Sequence, residues 1–315
     1  VQIIGDAQRG APRHDDRRSV ITIGAYDGVH LGHRAVIAQV RERALELGCA
    51  SVVVTFDRHP ASVVRPESAP KLLTDLDQKL ELLEATGIDA VYIVRFDEDR
   101  ATESPTAFIE RALVGDLRAR EVIVGEDFHF GHKRSGNVAL LAHVGETYDF
   151  VVSPIRLIAR PDGVAEPVSS TAIRRALAGG QVEVAANLLG RNYEVRGVVV
   201  HGDERGRQIG FPTANVEVPS AQCLPADGVY AGTARLADGS AHRCAINLGR
   251  RPTFFEHADH SLLEVHLLDF AGDLYGQRVQ VSFTKFLRSE RKFDGLDALK
   301  AQLAIDIAAA RAALD

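Results

Sequence analysis

Apolar positions in the first half of the chain alternate between two periods. Val20-Ile21-Thr22-Ile23 reads as a short strand ending at Gly24. After a loop, Val36, Ile37, Val40 and Leu47 recur at helical spacing, with Gly48 as the stop. Val52-Val53-Val54-Thr55-Phe56 is apolar on both faces, as a strand buried between two helix layers should be. Thr74 and Asp77 have the spacing of a capping box before a helix carrying Leu76, Leu80 and Leu83, and Gly87 closes it. Residues 91–94 and 122–124 are strand-like, and Ser104-Pro105 has the chemistry of an N-cap and first helical position. Strand and helix in alternation predict a parallel sheet with right-handed crossovers, in which ligands sit beyond the carboxyl ends of the strands.

Near residues 187–193 the pattern changes. A helix over 171–178 stops at Gly179-Gly180, and short β-rich pieces separated by Gly and Pro follow at 194–200, 228–234, 245–248, 262–268 and 279–283. Such spacing predicts a small antiparallel barrel or sandwich. A last helix shows Leu296, Leu299, Leu303 and Ile307 on one face, with Asp294 as its expected cap. The expected organisation is two domains, 1–186 and 187–315, the first α/β and the second β.

Composition narrows the classes. With 315 residues, 45% hydrophobic and 25% charged, the chain is neither collagen-like nor low-complexity. Its 37 Lys and Arg against 43 Asp and Glu, a net charge of −6, argue against nucleic acid as a partner. No apolar run reaches bilayer length, so no membrane role is expected. Residues 1–6 lack a basic stretch followed by an apolar run, so no secretory leader is expected. Cys49, Cys223 and Cys244 are far apart and in no C-x-x-C spacing, which suits reduced, packing-only thiols in a cytoplasmic protein better than a disulfide or zinc site. The chain contains neither Met nor Trp.

Chemistry-bearing residues gather just after the strands. Gly24-Ala25-Tyr26-Asp27-Gly28-Val29-His30-Leu31-Gly32-His33 joins the first strand to a helix start. Two histidines three apart at a helix N-terminus can donate to phosphate oxygens beside free backbone N–H groups, and Gly32 allows close approach of a phosphate chain. Exposed turn histidines are the plain alternative; a metal pair is a third, without a third ligand of suitable spacing nearby. Ser169-Ser170-Thr171 is an N-cap sequence, and Arg174 on the following turn adds a planar fork for phosphates. With the histidines it would make a cationic pocket. Thr55-Phe56-Asp57-Arg58-His59-Pro60 and Val124-Gly125-Glu126-Asp127-Phe128 also lie at strand exits, where Phe56 and Phe128 suit either core or a wall for a planar ligand.

In the second half, Gly202, Gly206 and Gly210 recur every four residues, with Arg207 between them, ahead of Phe211-Pro212-Thr213-Ala214-Asn215. The spacing is neither that of a P-loop nor of a dinucleotide fingerprint; it fits an anion-cradling loop or simply a glycine-rich hairpin. Thr213 and Asn215 share one face of an extended segment and offer neutral oxygens suited to Mg²⁺. In the 262–268 strand, Leu263, Val265 and Leu267 form a core face. Glu264 on the other face is either a solvated strand residue or a carboxylate able to deprotonate a hydroxyl.

The ordered elements G-x-Y-D-G-V-H-x-G-H, T-F-D-x-H-P, V-G-x-D-F-x-F-G and S-S-T-x-I-R resemble the adenylyltransferase half of bacterial bifunctional riboflavin kinase/FAD synthetases. G-R-x-x-G-F-P-T-A-N, L-P-A-D-G-V-Y-A-G, N-L-G-x-x-P-T-F, the Glu264 strand, and L-Y-G followed by F-L-R-x-E-x-K-F resemble riboflavin kinase modules. The resemblance runs from about Val20 to the C-terminal helix. It implies a Rossmann-like nucleotidyltransferase domain joined to a six-stranded antiparallel Greek-key barrel with a C-terminal helix. It also implies ATP-dependent phosphorylation of riboflavin to FMN and adenylylation of FMN to FAD with release of pyrophosphate. By the same resemblance His30, His33, Arg174 and Glu264 are catalytic. Gly24, Tyr26, Asp27, Gly32, Ser169, Ser170 and Thr171 bind ATP for adenylylation, and Phe56, His59, Pro60, Asp127 and Phe128 meet the flavin there. Gly202, Gly206, Arg207, Gly210, Pro212, Thr213 and Asn215 bind ATP for the kinase, with Thr213 and Asn215 on Mg²⁺ and with Glu264, Arg288 and Glu290 beside the flavin. Two positions depart from the family pattern: Arg58 stands where proline is common, and Asp127 where asparagine is. Competing readings are a nucleotidyltransferase for another phosphorylated acceptor and a non-catalytic flavin or nucleotide binder; weak self-association is compatible with either.

Overall fold

A computed structural model of the protein describes residues 1–5, 17–155, 163, 165–202, 206, 209–250 and 261–315. The chain divides into two compact units, Val1–Ser169 and Ser170–Asp315.

The first unit is organised around β1 (Gln2–Gly5), β2 (Ser19–Ile23), β3 (Ala50–Phe56), β4 (Ala90–Val94), β5 (Ala119–Gly125) and β8 (Val151–Ile155); between the last two, β6 (His129–Phe130) and β7 (Gly136–Asn137) form a separate ribbon. The six strands lie in the order β1-β4-β3-β2-β5-β8, every pair parallel. Its helices are α1 (Leu31–Leu47), α2 (Ala61–Val64), α3 (Leu76–Glu84), α4 (Glu98–Thr102), α5 (Pro105–Phe108) and α6 (Val138–Tyr148).

Both sheet faces are covered, which is why the strands read as continuous apolar runs. Val20, Val53 and Val91 pack against Ile37 and Val40 of α1 and Leu83 of α3. Ile21, Val52, Val54 and Val122 face Phe108, Ile109, Leu113 and Leu141 on the other side. After β2 the chain builds outward through β3 and β4, then returns to place β5 on β2's other flank. The exit of β2 is therefore the switch point where α/β sheets open a crevice.

The second unit begins with α7 (Ser170–Ala178) and α8 (Val182–Leu189). A closed antiparallel barrel follows: β9 (Tyr193–Val200), β10 (Ala214–Glu217), β11 (Gly228–Arg235), β12 (Ala241–Arg250), β13 (Ser261–Leu267) and β14 (Arg278–Arg288), ordered β10-β13-β12-β11-β14-β9. Strands β11, β12 and β13 are successive neighbours and β14 returns beside β11, which is the Greek-key arrangement. Pairing of β10 with both β9 and β13 closes the barrel. A C-terminal helix, Leu296–Leu314, lies on it, with Ala310 against Ala231 and Ala245, where small side chains permit close approach.

The predicted Rossmann-like sheet, Greek-key barrel and final helix are all present. Two local expectations need correction. Asp75, not Thr74, caps α3, its side chain accepting from Gln78 N at 2.7 Å. Thr74 turns its hydroxyl to Gly28 N (3.1 Å) instead. Asp294 does not cap the final helix, which starts at Gly295 without a side-chain cap. Strands β1, β8 and β10 escaped the hydrophobic pattern because they are short or carry Pro154, a residue tolerated at the sheet edge where β8 lies. The second compact unit begins at Ser170, since α7 and α8 pack with the barrel: Leu177 O accepts from Ala226 N at 2.9 Å.

Asp75→Ala is expected to destabilise the first unit by about 1 kcal/mol, the usual cost of a lost N-cap. A urea titration of the full chain checks this, and an unchanged first-unit midpoint would refute the cap assignment.

Candidate active sites

The loop leaving β2 is wound tightly. Tyr26 and Val29 have φ of +50° and +38°, a conformation strained for side chains of this bulk. Gly28 at φ +85° accommodates the turn. Neighbouring side chains hold it. Asp27, 6% exposed, accepts from Leu73 N at 2.9 Å and Thr74 N at 3.1 Å. Both carry the chain toward α3. Tyr26 buries its ring, with its hydroxyl 2.7 Å from Thr22 Oγ1, and burial pushes the phenol far above its usual range. Among the residues expected to bind ATP, Tyr26 and Asp27 thus spend their polar atoms shaping the loop.

His30 is the N-cap of α1: its Nδ1 accepts from His33 N at 3.3 Å, which leaves its proton on Nε2. The two imidazoles stack, centroids 3.5 Å apart and planes 17° apart, and Tyr26 lies 4.8 Å from His33. Burial first, then the charges of His30 and Lys79, hold the His33 pKa well below its usual value. His33 is therefore neutral at pH 7. The imidazole pair is polar rather than cationic in the free protein, because two charged rings in van der Waals contact in a dry site would repel. A Gly32 Cβ would stand 3.1 Å from the His30 ring and 3.2 Å from Val168 O, so glycine lets Val168, and with it Ser169, run beside the start of α1.

Further along the strand exits, Phe56 and Phe128 are half-buried against the core; Phe56 meets Phe96 edge-on at 5.5 Å and Phe128 stacks on Phe130 at 5.4 Å. His59 Nδ1 accepts from Ala61 N at 3.1 Å, and Pro60 occupies the start of α2. Asp127 is exposed. Arg58 pairs at the surface with Asp57 at 3.2 Å. Ser170 opens α7, so Thr171 and Arg174 belong to the second unit.

The barrel brings Thr213, Asn215, Glu264, Arg288 and Glu290 to one cavity of about 330 Å³, with Gly206 at its rim. Glu264 has an amide side chain opposite it on each flanking strand. Strand register sets it between Asn215 on β10 and Asn247 on β12, whose Nδ2 lies 3.4 Å from Glu264 Oε2. The opposite wall is apolar, formed by Phe293, Leu299, Leu303 and Ile307. Arg288, expected beside a flavin, commits its fork to Asp306 of the final helix at 2.9 and 2.7 Å; Asp306 is 4% exposed and also accepts from Gln302 at 2.7 Å. Glu290 is raised above the usual carboxylate range by burial, then by Asp227 and Glu264. A Cβ on Gly249 would collide with the Glu290 carboxylate, and one on Gly202 with the Asn215 amide. A second cavity of about 600 Å³ shares Thr213 and Asn215 and adds Pro212, Phe270, Leu274 and Tyr275. Gly210 has φ +92°, and Arg207 lies outside the described residues.

Two buried side-chain atoms lack a hydrogen-bond partner among the described residues: His33 Nδ1 and Asn215 Oδ1. Such orphans cost about 1–3 kcal/mol each, so each points to an absent ligand. An imidazole nitrogen suits a phosphate oxygen, and a neutral amide oxygen beside a hydroxyl suits Mg²⁺.

Sheet, barrel and these two polar sites define a two-unit transferase handling phosphate groups. A family model for FAD synthetase matches residues 12–172, and one for riboflavin kinase matches 189–314. The chain is 40% identical to a "Bifunctional riboflavin kinase/FMN adenylyltransferase" of Haemophilus influenzae over 93% of each chain, and 41% identical to one of Escherichia coli over 93% of this chain and 91% of that one. It superposes on a solved Streptococcus pneumoniae structure described as a macrolide-efflux protein with TM-score 0.83 and 28% identity, covering 99% of each chain. Among the described residues no helix is long and apolar enough to cross a membrane. The chain belongs to the bifunctional riboflavin kinase/FMN adenylyltransferase family.

A nuclear magnetic resonance titration should find the His33 ring still neutral at about pH 6 in the ligand-free protein. Its folded pKa lies below the unfolded one, so acidification through the usual histidine range protonates the unfolded chain first and lowers stability. A His33 that titrates at its ordinary value would contradict this electrostatic picture.

Proposed function

We infer that the chain makes flavin cofactors in two steps: the barrel unit phosphorylates riboflavin with ATP, and the sheet unit joins the resulting FMN to the adenylyl group of a second ATP. The pair of orphaned atoms, one in each unit at the residues expected to meet phosphate and metal, is the observation that carries this reading. We keep the boundary between the two activities near 186/187, because the match to the FAD synthetase family runs through Ser169-Ser170-Thr171 into the start of α7 although that helix packs with the barrel.

In the kinase step the ribityl 5′-hydroxyl attacks the γ-phosphorus of ATP, its proton passes to Glu264, and ADP leaves. Asn215 and Asn247 flank Glu264 without neutralising it, and the Asn247 amide orients its carboxylate. The cavity walled by Leu299, Leu303 and Ile307 suits the planar flavin, while the cavity with Phe270 and Tyr275 suits the nucleotide. Thr213 and Asn215 border both, so they stand where the two substrates would meet. A Mg²⁺ held there would neutralise phosphate charge. Arg288 acts at a distance, fixing the final helix through Asp306.

In the adenylyl step an FMN phosphate oxygen attacks the α-phosphorus of ATP and pyrophosphate leaves. The nucleophile is already ionised, so no base is required; the need is to bring two anions together. His30 Nε2–H, His33 and the α1 N-terminus serve that end. Phe56 and Phe128 offer half-buried rings to the flavin. The three buried free thiols fit a reducing, cytoplasmic setting for both reactions.

A carrier or sensor would need no carboxylate at Glu264, and a transferase for another acceptor would need no barrel. Incubation with riboflavin, ATP and Mg²⁺ should yield FMN and then FAD. His33→Ala should lower FMN-to-FAD conversion about 10²–10³-fold and leave FMN formation intact. Glu264→Ala should lower riboflavin phosphorylation about 10²–10⁴-fold and spare conversion of supplied FMN. Loss of both activities in either folded variant would refute two separate sites.

A further inference from the structure

Lys79 lies on α3, a helix whose visible pattern is an apolar stripe, yet it is 7% exposed and its Nζ reaches the mouth of the sheet. There it donates to Phe56 O at 2.7 Å, Thr55 Oγ1 at 3.3 Å and Ala25 O at 3.4 Å. Ala25 belongs to the loop leading to the histidines, and Phe56 begins the segment expected to face the flavin. Thr55 Oγ1 itself donates to Ala25 O at 3.1 Å, so the two exits are already adjacent and the ammonium ties them from below. Asp27 closes the circuit by holding Leu73 and Thr74, from which the chain passes through the Asp75 cap into α3.

All three acceptors are neutral, and a glutamine could serve them at a smaller desolvation cost. What lysine adds is charge. The groups that face it are Asp27 after β2, Asp57 after β3 and His33 on α1. Adenylyl transfer brings two anions together, and like charges in close approach repel strongly where water is excluded. His33 is neutral before substrate arrives, so it does not supply a full positive charge in advance.

We propose that Lys79 is a positioning residue for adenylyl transfer: it clamps the nucleotide loop after β2 to the flavin-side segment after β3 and keeps a fixed positive charge beside the stacked imidazoles. The proposal rests on the reading of the first unit as the adenylyl-transferring one. Burial lowers the Lys79 pKa to about 8, against the opposing pull of Asp27 and Asp57. Its charge is therefore present below about pH 8 and lost above it. Phosphate monoesters have their second pKa near 6, so substrate ionisation does not interfere there.

The test uses the full chain with supplied FMN, ATP and Mg²⁺, with riboflavin phosphorylation as an internal control. Lys79→Gln should lower kcat for FAD formation about tenfold or more at pH 7, with kinase turnover unchanged. Lys79→Arg should restore kcat to within about threefold, because the guanidinium keeps the charge. For the parent chain, kcat/KM for FAD formation should fall as pH rises through about 8, and in Lys79→Arg that limb should be absent up to about pH 10. A Lys79→Gln chain with parental kcat, or the same alkaline limb in parent and Lys79→Arg, overturns the proposal. If Lys79→Gln fails to fold, the pH profiles of the other two chains decide. A parent chain that makes FMN but no FAD overturns the adenylyl reading itself, independently of Lys79.

Discussion

A parallel strand that ends inside a covered sheet leaves backbone groups pointing into a crevice, and they must find partners or lose about 1–3 kcal/mol each. At the exits of β2 and β3 the partners are side chains. Asp27 accepts from Leu73 N and Thr74 N; Thr74 accepts from Gly28 N; Thr55 donates to Ala25 O; Lys79 donates to Ala25 O and Phe56 O. Much of what reads as a binding loop is consumed in holding that loop's shape. The strained backbone at Tyr26 and Val29 persists because this set of bonds over-determines it.

Against so complete a satisfaction, the two exceptions carry meaning. His33 Nδ1 and Asn215 Oδ1 are buried without a partner, although adjacent groups are all engaged: His30 caps α1, and the Asn247 amide lies toward Glu264. Glycine preserves both positions. Gly32 admits Val168 over the helix start, and Gly202 leaves room for the Asn215 amide. On the proposed reading, a phosphate or a hard cation would recover the energy withheld in the free protein, and these atoms would interact more favourably with ligand than with the empty fold.

The architecture was legible wherever periodicity was clean. Continuous Val and Ile in β3 and the helical stripe of α1 specify covered parallel strands, and the change to short pieces with Gly and Pro specifies the barrel. The ordered motifs also located the positions at which both cavities or loops form. What could not be read was the division of labour within them. Asp27 sits inside a motif, yet its carboxylate binds backbone. Arg288 sits in another, yet it grips Asp306 eighteen residues on. Lys79 was hidden because a helix wheel assigns lysine to solvent, and its four-carbon stem can carry the charge through the apolar face to a distant carbonyl. Asn247 lay in the N-L-G motif, but only the β12–β13 register shows that it meets Glu264.

Charge state was the least visible property. An H-x-G-H sequence suggests two cations beside phosphates, but stacking at 3.5 Å and burial make protonation of His33 unfavourable in the free protein. Neutral rings have an advantage here. They leave the empty site free of two repelling charges, and still donate one hydrogen bond apiece. Binding an anion would raise the His33 pKa, so protonation would follow substrate rather than precede it. A neutral pair beside a buried ammonium places the strongest interaction later, when the two phosphates have approached and the charge to be stabilised is greatest.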